Sequence, residues 1–105
     1  MSTKNLSVTH AVLVDEEIQF TLVELSRACR ADIEQLVVLV HEGVLTPSGD
    51  DPQHWRFGGP TLHRARAALR LTRDFELNAA GTALVLDLLD EIKTLRSRLR
   101  HLGTR

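Results

Sequence analysis

The sequence predicts a mainly α-helical protein: a winged helix-turn-helix head with short wing strands, followed by a long C-terminal helix. Three observations carry this reading. Two apolar-periodic segments, each opening on a capping residue, are joined by the tight turn Arg30-Ala31-Asp32. Trp55-Arg56-Phe57 alternates apolar, charged and apolar side chains, as a short strand does. From Ala79 to Leu102 apolar residues recur every three or four positions. With 105 residues the chain has material for one domain, read as a head over 7–60 and a helical region over 61–105.

The elements follow in order. Ser7 to Phe20, with the apolar run Ala11–Val14, reads as a strand or extended arm. Thr21 lies three residues before Glu24, so hydroxyl and carboxylate can exchange hydrogen bonds with each other's backbone, and a helix starts at Leu22. Leu22, Leu25 and Cys29 form its buried side. Asp32 caps the second helix, with Gln35 completing the same kind of box, and Ile33, Leu36, Val37 and Val40 mark its core side. Gly43 ends that helix, Val44-Leu45 return to the core, and Pro47 with SGDDPQ forms a loop. Trp55-Arg56-Phe57 is the wing strand, Trp55 sealing it against the first two helices and Arg56 facing outward, before the Gly58-Gly59-Pro60 break.

A third helix is expected from Thr61 to about Glu76, with Ala65, Ala68, Leu71, Thr72 and Phe75 on its broad inner side. His63, Arg66, Arg70 and Arg73 line the other. The fourth helix, Ala79 to Leu102, carries Val85, Leu88, Ile92, Leu95, Leu99 and Leu102 along a coiled-coil seam, with Leu84, Leu86 and Leu89 widening the stripe. Leu88, Ile92, Leu95 and Leu99 are therefore the expected homodimer contacts. The alternative is that the same residues fold back on their own subunit.

The second helix decides the function class. In a DNA-binding winged helix it would read bases, yet DIEQLVVLVHEG holds two glutamates, one aspartate and no Lys or Arg. Carboxylates there oppose approach to a backbone with one negative charge per roughly 1.7 Å. Residues 1–54 hold nine acids against three Lys/Arg, a formal −6, and residues 55–105 five acids against ten Lys/Arg, a formal +5. The acidic half attracts basic surfaces and repels DNA.

Other classes find little support. No run approaches the 18 apolar residues of a membrane span, MSTKNLSV lacks the apolar core of an export signal, and Cys29 is the single cysteine, so a soluble cytoplasmic protein is expected. His10, His41, His54, His63 and His101 lack metal-ligand spacing, and Asp50-Asp51 sits in a Gly/Pro-rich loop. No Gly-rich phosphate cradle or Cys-His pair is visible. The expectation is no enzyme, no catalytic residue, no metal and no cofactor.

Taken together, FTLVELSRAC, RADIEQLV, EGVLTP, WRF, RAALRLTRDFELN and GTALVLDLLDEIKTLRSRL resemble the chaperone modulator CbpM family, a divergent branch of the MerR-like winged-helix proteins, over about residues 18–100. The resemblance implies a dimeric, non-catalytic adaptor that binds the J-domain of CbpA, a DnaJ-like co-chaperone. Such an adaptor inhibits both the co-chaperone activity and the DNA binding of CbpA, and is nucleoid-associated only through that partner. Where DNA-binding MerR proteins carry arginine and aromatic residues after the turn, this chain has Leu36-Val37-Val38-Leu39, so direct DNA binding is expected to be weak or absent. The alternative is a MerR-like DNA-binding transcription regulator using the basic third helix and the wing.

On the second helix, Glu34, Val38, His41 and Glu42 form an acidic surface around an apolar centre, the arrangement that selects a basic partner. Its plain alternative is a solvated helix face with one exposed valine. Arg66 and Arg70 are the third helix's candidates for a partner contact, against solvent exposure or pairing with the acidic half. Cys29 reads as a small core residue.

Overall fold

Thr21 and Glu24 close their capping box as expected, with Glu24 N–H donating to Thr21 Oγ1 at 3.1 Å and Thr21 N–H to Glu24 Oε1 at 2.9 Å. In the computed structural model, which describes residues 18–103, this box opens helix α1, Leu22–Cys29. Most of the segment read as an N-terminal arm lies outside the described residues; its last part forms strand β1, Gln19–Phe20. Helix α1 ends at Arg30, whose left-handed φ of 54° lets Ala31 N–H bond back to the Ser26 carbonyl at 3.1 Å.

Helix α2, Ile33–His41, begins with Asp32 N–H donating to Gln35 Oε1 at 3.0 Å. Its inner face is centred differently from the expected stripe. Leu36 and Leu39 are buried, Val37 and Val40 are half-buried, and Ile33 is exposed. Because residues 36–40 are all apolar, periodicity leaves the centre of the stripe open, and Ile33 sits in the first turn at the helix edge. Gly43, at φ 80°, turns the chain so that Val44 and Leu45 enter the core.

A 3₁₀ turn at Pro52–His54 leads to strand β2, Phe57–Gly58, which pairs antiparallel with β1 in the register Phe20 to Phe57 and Gln19 to Gly58. The wing strand thus starts later than the expected Trp55-Arg56-Phe57. Arg56 instead makes an isolated bridge to Ser48, and its guanidinium donates to the Trp55 carbonyl at 2.8 Å. Trp55 and Phe57 are both buried, with ring centroids 6.1 Å apart at 82°.

Helix α3, Gly59–Phe75, starts earlier than expected because Pro60 is accommodated in its first turn, where no N–H is needed. Ala65 and Ala68 are fully buried and Leu71 and Thr72 partly so. Phe75, expected inside, is 68% exposed; it ends α3 just before the left-handed Glu76 turns the chain away. Asn78 then caps helix α4, Ala79–Gly103, through Oδ1 to Gly81 N–H at 2.7 Å. Only the first part of α4 meets the core, by Thr82 and Leu86. Thr82 is wholly buried and its hydroxyl is satisfied by Thr72 at 3.1 Å.

Candidate functional site

Turning Leu36 and Leu39 inward leaves Val38 on the outside, 47% exposed, with Glu34 and Glu42 one helical turn to either side and His41 beside it. Glu34, Val38 and His41 share the exposed surface of α2, and Glu42, the residue that ends it, is exposed beside them. A valine so placed can be desolvated at small cost, and the carboxylates around it favour a partner with Lys or Arg.

Val38 also has apolar neighbours that no local pattern announces. It lines a groove of about 190 Å³ with Gln35 and Leu39 of α2, Leu69 and Thr72 of α3, Leu77 and Asn78 of the connection that follows, and Ala79 at the start of α4. Residues from three helices build it, so only the packing of α2 on α3 and α4 brings them together.

Arg66 and Arg70 lie on the exposed side of α3, as do His63 and Arg73. They belong to a different element from the α2 set. Arg66 reaches across to the C-terminal end of α1, donating to the Ala28 carbonyl at 3.3 Å, and Arg73 pairs with its neighbour Asp74 at 3.2 Å. Burial pushes the half-buried Cys29 thiol up from its ordinary pKa, with Arg66 opposing the shift.

Arg64, which no sequence pattern singled out, ties three parts together. Its Nε donates to the Val44 carbonyl at 2.7 Å, and its terminal nitrogens lie 3.1 Å from Asp90 Oδ2 and 3.7 Å from Asp87 Oδ1. The spacing of Asp87 and Asp90 places both on one side of α4, and that was the one legible hint. Further along α4, Leu88, Ile92, Leu95, Leu99 and Leu102 are all exposed. Among the described residues no group of three or more His, Cys, Asp or Glu is placed to hold a metal, and no helix is long and apolar enough to cross a membrane.

Comparison with known proteins fits this architecture. Residues 20–104 match the model of the MerR HTH family regulatory proteins. The chain is 34% identical over 95 residues to the chaperone modulatory protein CbpM of Coxiella burnetii strain Dugway 5J108-111, covering 90% of each chain. Against the CbpM of Pseudomonas entomophila strain L48 it is 30% identical over 80 residues, 76% of this chain and 79% of the relative. The chain belongs to the chaperone modulatory protein CbpM family. A shorter match to the CbpM of Pseudomonas putida strain W619 reaches 41% over 69 residues, 64% of this chain and 68% of the relative. This CbpM-family chain thus keeps a MerR-type head and wing while its second helix carries carboxylates and a valine on the outside.

Proposed function

We propose that this chain binds the J-domain of a CbpA-like co-chaperone through α2, and so blocks the productive encounter of that J-domain with an Hsp70-type chaperone. Family membership makes the chain a chaperone modulator, a non-catalytic regulatory protein rather than a conventional MerR-type regulator. The observation that carries the finer reading is the outer face of α2. Glu34, Val38, His41 and Glu42 are exposed together, and the helix has no Lys or Arg with which to hold a phosphate backbone. A basic J-domain surface would gain steering from the two glutamates and an apolar contact from Val38. Arg66 and Arg70 of α3 complete the proposed contact set, the adaptor acts in the cytoplasm, and its reach to the nucleoid is through the co-chaperone.

We further propose that the protein acts as a homodimer through Leu88, Ile92, Leu95 and Leu99, whose exposed side chains form a continuous apolar path along α4. Glu34→Lys with Glu42→Lys tests the main proposal. The double variant should keep the circular-dichroism spectrum of the parent and lose inhibition of J-domain-stimulated ATP hydrolysis, because both substitutions are on exposed positions and reverse the attraction. Full inhibition by the folded double variant would move the contact away from α2.

A further inference from the structure

The groove beside Val38 is too small for a cofactor or metabolite. Small-molecule sites occupy roughly 300–1,000 Å³, against about 190 Å³ here. Its lining of Val38, Leu39, Leu69, Leu77 and Ala79 is mainly apolar, which suits a single aliphatic side chain presented from outside.

The α2 bank of the groove is acidic. On α2, Val38 has Glu34 and Glu42 four residues to either side, and the helix contributes no Lys or Arg. On α3 the arginines nearest Leu69 are engaged elsewhere, Arg66 with the Ala28 carbonyl at 3.3 Å and Arg73 with Asp74 at 3.2 Å. An apolar slot beside an acidic bank selects the charge of what enters as well as its size. A helix seated there gains from Lys or Arg on the edge that faces α2.

We infer that this groove is the seat for one aliphatic side chain of a helix of the J-domain, a helix that carries Lys or Arg within a turn of that side chain on the edge facing α2. The inference rests on the adaptor function proposed above and specifies how that surface is used. The seated side chain is the desolvated anchor. Glu34 and Glu42 set the encounter rate.

Val38 is the residue through which to test it, since its exposure allows replacement without disturbing the core. Val38→Trp, whose ring covers the groove, and Val38→Ala, which leaves it open, are compared with the parent as full-length proteins by calorimetric titration with a purified CbpA-type J-domain. Closing the groove should weaken binding by about tenfold or more and opening it by about threefold or less, as expected for loss of an anchor against loss of a rim contact. Methyl-labelled Leu69 and Leu77 should show intermolecular contacts to an aliphatic side chain of the J-domain. Glu42→Lys should slow association and flatten its salt dependence. Absence of binding by the parent would overturn the adaptor reading and the groove with it. Binding by Val38→Trp within twofold of the parent, or no intermolecular contacts at Leu69 and Leu77 while the parent binds, would overturn the groove alone.

Discussion

In the first half of α4, Thr82 and Leu86 are buried in the core and Asp87 and Asp90 are drawn toward Arg64, whereas in the second half Ile92, Leu95, Leu99 and Leu102 are all exposed. The apolar spacing is similar in both halves. What separates them is supply: α2 and α3 cover the start of the helix, and α4 then runs past them. Burial is a property of position relative to the other elements, so one amphipathic stripe can serve two purposes along its length.

The comparison is broken most severely at Leu86. Leu86→Ala removes a buried side chain from the joint between α4 and the head and should destabilise the protein by about 2–4 kcal/mol, read from chemical denaturation. Leu95→Asp in the second half should leave the subunit folded by circular dichroism but convert a dimer to a monomer in sedimentation equilibrium. A parent that is monomeric across micromolar concentrations would remove the dimer proposal and leave the stripe without a role.

Arg64 sharpens the boundary between the halves. Arg64→Met keeps much of the aliphatic packing but leaves the Val44 carbonyl and the two aspartates without their donor, and should cost about 1–2 kcal/mol in thermal or urea unfolding. The Asp87 and Asp90 contacts alone are exposed enough to be worth little, so Asp90→Asn should cost less than Arg64→Met.

The smallest effect is in the loop remote from α4. Asp51 is exposed, and its carboxyl is held below the ordinary range chiefly by a hydrogen bond with His54, 2.9 Å away. Its folded pKa is depressed, so any stabilisation is present above the usual carboxylate range and lost as pH falls through the lowered value. His54→Ala should raise the Asp51 pKa in an NMR titration with little change in melting temperature.

Capping chemistry made much of the helical framework legible. Thr21 with Glu24, Asp32 with Gln35 and the polar Asn78 are local devices, and their geometry needs only a few neighbouring residues. The outer set on α2 was legible for a related reason: polar residues at three- and four-residue spacing around Val38 can share only one helix surface. Ile33 and Phe75 show where such reasoning stops. Both are apolar and both fit the period, but one lies in the first turn of its helix and the other at the end, beyond the cover of the core.

By itself, then, the sequence determined where α1, α2 and α4 begin, which half of the chain is acidic, and that α2 carries no Lys or Arg, because these depend on neighbouring residues or on composition. Tertiary structure decided that Leu39 rather than Ile33 is core, that Leu69 and Leu77 meet Val38 in one groove, and that Arg64 joins Val44 to Asp87 and Asp90. Each of those outcomes joins groups far apart in the chain, or chooses among equally apolar neighbours, and only the mutual packing of the helices supplies that information.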